Sequence, residues 1–230
     1  MPNVIFNSWS GAFFNPGGGE VQLSETRKHL LRRGVPVDLY DQWKPQREVD
    51  IFHQFSIVPG VGYPMAEYRT LGKRIALSTI LWAEYPVGHP ERERISEILN
   101  LAHILFTNSV AESQKIARAF DVPLTKFHET RNGISEEYLN LDTNSDFKNL
   151  YNVVGDFILS VANIDQRKNT RMLIQACREI GKKLVLVGEV RDPAFFKEIQ
   201  NESGESFYYV GPVRDISILK SAFQQASLFA

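Results

Sequence analysis

Short apolar runs alternate with amphipathic stretches along almost the whole chain, and this order constrains the fold more than any single motif does. "NVIFNS" reads as a buried strand. A glycine-rich loop follows, then a helix through about Arg33, stopped by Gly34. "VPVDLYD", "VDIFHQFS", "KRIALSTIL" and "HILFTNS" read as further strands. "PERERISEILNLA" reads as a helix with Pro90 in its first turn, and "VAESQKIARAF" as a helix with Ser109 as N-cap. "KFHETRNGI" reads as a short strand ending in an Asn-Gly turn. Strand–helix alternation of this kind builds a parallel sheet with helices on both faces.

The alternation lapses in the polar, irregular "LDTNSDFKNLYNVVGD" and then restarts. "DFILSVAN", "KKLVLVG" and "FYYVGPV" read as strands, with "NTRMLIQACREIG", "PAFFKEIQNES" and "ISILKSAFQQA" as the helices among them. The expected fold is therefore α/β with two Rossmann-like domains, residues 1–152 and 153–230. The final "SLFA" reads as the first residues of an apolar, buried strand, so the second domain is expected to be incomplete. A short edge strand completing a compact domain is the competing reading.

Two stretches suggest anion sites. Gly17, Gly18 and Gly19 precede a helix, and residues without a Cβ let backbone N–H groups approach oxygen anions at a helix N-terminus. The nicotinamide fingerprint fits poorly. Gln22 stands at its third glycine, and about ten residues separate the first strand from the glycines, too many for its tight turn. Asp38 and Asp41 lie where a ribose-binding acid would sit, which keeps an oxidoreductase as an alternative. No Gly-Lys-Ser/Thr follows, so the Walker pattern fails. A plain flexible loop also explains the glycines.

The second stretch is "SVANIDQRKNTRMLIQA". Arg167 and Lys168 lie between a strand end and a helix that starts near Asn169 or Thr170. Cations favour a helix C-terminus over its N-terminus, so two at this end are misplaced unless an anion joins them. A solvated surface pair is the ordinary alternative.

Together these stretches resemble the family-4 (group 1) glycosyltransferases of GT-B architecture. "PGGGE" is similar to the family's glycine loop, "LFTNSVAESQKI" to its strand-then-Ser segment and "TRNGISEEYL" to its Asn-Gly-Ile/Val turn. "FILSVANIDQRKNTRMLIQA" resembles the start of its donor-binding domain, and "LVLVGEV" and "FYYVGPV" the strands that follow. The resemblance implies transfer of a sugar, with retention, from a nucleotide sugar, UDP- or GDP-linked, to a glycan or lipid-linked acceptor. It implies a donor held mainly by the C-terminal domain and an acceptor presented by the N-terminal one. Arg167 and Lys168 would be catalytic, neutralising the diphosphate as the glycosidic bond breaks. Gly17, Gly18, Gly19, Asn132, Gly133, Asn163 and Gly188 would line the donor site. No protein nucleophile or base is implied, since the leaving phosphate can assist the acceptor hydroxyl. A non-catalytic nucleotide-sugar-binding or scaffold protein of the same fold is the alternative within the resemblance.

Three departures stand out. The commoner pattern has Arg where Asn163 stands. "STILWAEYP" lacks the His that many members carry near the end of the fourth strand. The Glu-x7-Glu segment that contacts donor sugar and ribose would lie beyond Ala230. Among other polar residues, His53 and Glu84 sit at strand ends and are acceptor candidates, His53 equally reading as a core histidine and Glu84 as a weaker contact. His103 reads as structural. Lys28 and Arg32 share one helix face, ordinarily a solvated one, with contact to anionic lipid as the membrane-peripheral alternative.

Composition closes off other classes. A net charge of −1 gives no field to recruit nucleic acid. Cys177 is the only cysteine, so no intrachain disulfide forms, which fits a cytoplasmic location. No Asp-x-Asp pair and no Cys/His spacing suited to zinc occurs, so no metal is expected. "MPNVIFNSWSG" is not a signal peptide, and no run approaches the ~20 apolar residues of a membrane span.

Overall fold

The computed structural model describes residues 1–14, 16–81, 85–140, 142 and 144–230. Contacts divide it into two units, Met1–Gly133 and Ile134–Ala230.

The first unit runs β1 (Val4–Asn7), α1 (Gly18–Arg32), β2 (Val37–Leu39), β3 (Ile51–Phe55), α2 (Gly62–Thr70), β4 (Arg74–Ser78), α3 (Pro90–Leu101), β5 (Ile104–Thr107), α4 (Val110–Phe120) and β6 (Phe127–Glu129). All pairings are parallel, in the order β2-β1-β3-β4-β5-β6. Phe6 lies opposite Leu39 on one side and His53 on the other. Alternate residues feed two cores. Ile5, Phe52, Ile75, Leu77 and Leu105 join Met65 and Leu99 on one face, while Val4, Phe6, Val37 and Phe55 join Leu23 on the other. Burial on both faces explains why these strands read as continuous apolar runs rather than alternating ones. Each fully buried Phe contributes roughly 2–3 kcal/mol of transfer free energy. The order reverses direction between β1 and β3, and ligands of open α/β sheets bind outside the carboxyl ends at such a point.

The second unit runs α5 (Phe147–Leu150), β7 (Phe157–Val161), α6 (Thr170–Glu179), β8 (Lys183–Val187), α7 (Pro193–Ser203), β9 (Phe207–Gly211), α8 (Ile216–Gln225) and β10 (Leu228–Phe229). Its parallel sheet has the order β10-β7-β8-β9, so its reversal lies between β7 and β10. Ile174, Cys177, Phe195 and Ile199 of α6 and α7 cover one face, and Phe147 and Ala222 of α5 and α8 cover the other. Two Rossmann-like sheets are what the alternation implies.

Several details differ from the sequence reading. Residues 134–152 group with the second unit. The anchor is Phe147, fully buried, whose N–H donates to Ser221 Oγ at 3.0 Å, while Lys148 N–H donates to Gln225 Oε1 at 2.9 Å. Helix α2 interrupts a stretch with no helical signal, because Gly62 and Pro64 fall in its first turn, where proline loses no intrahelical bond. "SLFA" does form a strand, but β10 is an exposed edge strand, with Leu228 57 % and Phe229 56 % accessible. Asn132 and Gly133 lie in an exposed irregular stretch instead of a turn.

Candidate functional site

The strongest geometric candidate follows β7. Val161 ends the strand, Asn163 is half-buried just beyond it, and Asp165 opens a short 3-10 turn over Gln166–Lys168. Asp165 Oδ1 accepts from Lys168 N–H at 3.1 Å, which fixes the turn. Asn169 then takes a left-handed conformation, φ 54°, and α6 begins at Thr170. The turn thrusts Arg167 and Lys168 into solvent. Arg167 is 65 % accessible along its side chain and makes only a loose pair with Asp165 at 3.5 Å. The Lys168 ammonium has no partner among the described residues. The amide of Asn163 likewise makes no hydrogen bond to a described residue.

Helix α6 stands apart from its neighbours. Asp146, Asp192 and Asp215 cap α5, α7 and α8, each accepting from first-turn N–H groups. Helix α6 has no side-chain cap and no acidic residue in its first turn. Among the α-helices of the second unit, the uncapped end is thus the one beside two cations, an arrangement suited to an anion.

Gly188 holds this edge together. Its φ is +150°, and a Cβ built on it would overlap the Ala162 carbonyl, with its carbon 2.6 Å away. Ala162 N–H donates to Val187 O and Gly188 N–H to Gly211 O, so the ends of β7, β8 and β9 close on this glycine. Its conformation and the close backbone approach account for the glycine.

The first unit's glycine loop is filled differently. Glu20, in the first turn of α1 and only 8 % exposed, accepts from Gly17 N–H at 2.7 Å and from Trp9 Nε1 at 3.1 Å. A Cβ on Gly19 would meet Ile80 Cδ1 at 3.2 Å, whereas one on Gly18 would meet nothing within 4 Å. Gly18 and Gly19 head the helix, so their N–H groups have no intrahelical acceptor.

Around this loop lies a polar network that the sequence did not reveal. Gln54 is fully buried at the end of β3; its amide donates to Phe55 O at 2.7 Å and its oxygen accepts from Asn7 Nδ2 at 2.7 Å. Glu112 accepts from Thr79 Oγ1 and from Asn108 N–H, both at 2.7 Å, while Ser109 caps α4. Ser56 (φ 72°) and Ile80 (φ 43°) follow β3 and β4 in the left-handed region, which is strained for a β-branched residue. Neither strain nor a satisfied buried amide has a signature in residue type alone.

The remaining candidates separate. His53 is buried against Phe6, Phe55 and Phe106, with Nε2 2.9 Å from Ser78 Oγ. Burial lowers its pKa to about 3, so it is a neutral core histidine at ordinary pH. Glu84 lies outside the described residues. Asn132 and Gly133 are exposed in the irregular stretch that follows β6, near the end of the first unit. His103 accepts from Ile75 N–H at 3.0 Å, a structural role. Among the described residues, no group of three or more His, Cys, Asp or Glu side chains is placed to hold a metal ion, and no helix is long and apolar enough to cross a membrane.

Solved structures share this fold. HepE of Anabaena, in complex with UDP and glucose, superposes with a TM-score of 0.71 at 15% identity, covering 100% of this chain and 73% of that one. A glycosyltransferase of Rickettsia africae gives 0.65 at 13% identity, over 99% and 72%. The UDP-GlcNAc 2-epimerase of Methanocaldococcus jannaschii gives 0.61 at 13% identity, over 100% and 78%. No protein-family model and no curated protein sequence matches the chain. The architecture is that of GT-B glycosyltransferases and of nucleotide-sugar epimerases of like fold.

Proposed function

We propose that the chain is a glycosyltransferase of the family-4 type, moving a sugar from a nucleoside-diphosphate donor to a hydroxyl-bearing acceptor with retention at the anomeric carbon. The observation that carries the reading is the pair of exposed cations, Arg167, held only loosely by Asp165, and Lys168, beside the uncapped N-terminus of α6. As the bond from the anomeric carbon to the β-phosphate oxygen breaks, its electron pair stays on phosphate, where these cations meet the new charge. The acceptor oxygen bonds to the anomeric carbon, and its proton passes to the departing phosphate. Charge of this kind is met without a divalent ion in the proposal. Asn163 and Gly188 shape the floor beside the cations, while in the first unit Glu20 already occupies the glycine loop at Gly17. A UDP or GDP donor, a glycan or lipid-linked acceptor and a cytoplasmic, membrane-peripheral setting complete it.

The likeness to a UDP-GlcNAc 2-epimerase over the whole chain supports a second reading, in which the same fold converts a nucleotide sugar rather than transferring it. One assay divides the two. The protein is incubated with UDP- and GDP-sugars and a panel of glycan acceptors, and products are followed by NMR. Nucleoside diphosphate release with an α-linked product from an α-linked donor is expected. Conversion of the sugar without transfer would favour the epimerase, and binding of NADH but neither nucleotide would overturn both.

A further inference from the structure

We propose that Trp9 and Glu20 form a subsite for a neutral sugar ring, and that Glu20 sets its preference for uncharged over anionic sugars. The inference rests on the transferase reading only for the sugar's role as acceptor; the subsite itself is argued from its own geometry.

Two contacts and a turn fix the indole. Glu20 Oε1 accepts from Trp9 Nε1 at 3.1 Å. The ring lies against Gly11, where any side chain would collide with it. The turn is closed by Ala12 N–H to Trp9 O and Phe14 N–H to Gly11 O, both at 3.1 Å. Yet the residue keeps 39 % of its surface exposed. A large ring that is oriented by packing, hydrogen bond and turn, but not covered, is preorganised for a ligand. The sequence from 8 to 19 carries no charge, and Phe13 and Phe14 within it are also exposed.

The chemistry selects the ligand. An aromatic face is electron-rich and accepts the C–H groups of a sugar ring. Glu20 beside it keeps 8 % of its surface open, and each of its oxygens, holding one N–H, has a lone pair left for a hydroxyl hydrogen; charge-assisted bonds of this type are the stronger ones. Glu20 already takes the N–H of Gly17 at 2.7 Å, so the helix end is supplied with its own anion. A phosphate or carboxylate brought to the same place meets like charge, whereas a hydroxyl meets an acceptor. Apolar ring, carboxylate and the loop's lack of cations therefore point to a neutral saccharide.

The test uses the whole chain and methyl glycosides of glucose, mannose and N-acetylglucosamine as probes, with glucuronate and inorganic phosphate as anionic counterparts. Binding is read from the Trp9 indole N–H signal, one of three tryptophans, and by titration. At least one neutral glycoside is expected to shift that signal, and neither anion to do so. Trp9→Leu should weaken the glycoside tenfold or more. Glu20→Gln should weaken it as well and let glucuronate bind, a change of preference that loss of fold cannot produce. A silent Trp9 signal with every neutral glycoside, or equal affinity in wild type and both folded variants, overturns the proposal. UDP and GDP titrated in parallel separate the two readings: nucleotide bound without any glycoside sinks the subsite alone, and glycoside bound without nucleotide sinks the transferase alone.

Discussion

The loops after β1 and after β7 have the same outline, a strand end, an irregular stretch and a helix start, and they are filled in opposite ways. After β1 the glycines bring the backbone within reach, and the chain then places its own carboxylate, Glu20, on Gly17. After β7 the loop has no glycine, and α6 is left without a cap while Arg167 and Lys168 point into solvent. Glycine content therefore measures access, and charge decides what takes advantage of it. The more conspicuous sequence motif is the less receptive to an anion.

The largest expected effect comes from the glycine that the second site depends on. Gly188→Ala puts a methyl group into the Ala162 carbonyl at a φ of +150°. The ends of β7, β8 and β9 would have to separate, at a cost of about 3–5 kcal/mol. Denaturant unfolding should show the second unit lost or strongly weakened, and an unchanged midpoint would mean that this edge is looser than the geometry states.

Removing the cations tests function without touching the fold. Arg167→Ala with Lys168→Ala is expected to lower transfer by about two to four orders of magnitude, because the lost contacts matter most as charge develops. Exposed loop cations contribute little to stability, so the melting temperature should stay within about 2 °C. Near-normal turnover at an unchanged melting temperature would reduce both residues to surface charge.

His53 gives a smaller, pH-dependent effect within the first unit. Its folded pKa lies at about 3 through desolvation, against 6.5 when exposed. The unfolded chain thus binds the extra proton first as pH falls. The stability tied to a neutral His53 is complete above about pH 6.5 and drains away toward pH 3, by at most about 1.4 kcal/mol per pH unit. A folded His53→Gln variant should show a flatter fall between pH 6 and 4, and parallel curves would place the acid sensitivity elsewhere.

Much of this contrast was only half legible in the sequence. Apolar runs gave the strands, since a parallel sheet buried on both faces leaves a continuous apolar signature, and Ser109 and Gly34 marked helix ends through local chemistry. Arg167 and Lys168 could be placed because strand, turn and helix are contiguous there. Trp9 and Glu20 could not be paired from the sequence, since the bond depends on the path of a loop between them. Helix α2 was hidden because its evidence is tertiary: Met65 and Tyr68 are buried, yet the segment opens with Gly62 and Pro64. Phe147 was hidden for the same reason, a single anchor within a polar stretch.

The smallest effect belongs to Gly18→Ala, the mirror of Gly188→Ala. A Cβ at Gly18 meets nothing within 4 Å, and its φ is not in the left-handed region. Alanine is the better helix former and restricts the unfolded chain, so stability should hold or rise by about 0.5–1 kcal/mol. The N–H at residue 18 survives the change; only close approach to its Cα is blocked. If the donor diphosphate is carried by Arg167 and Lys168, its affinity should change by less than about threefold, under 1 kcal/mol. A loss of tenfold or more by titration, with the melting temperature kept, would show that donor phosphate packs on the glycine backbone. The contrast between the two loops would then lie in how each holds an anion, and no longer in whether the first one does.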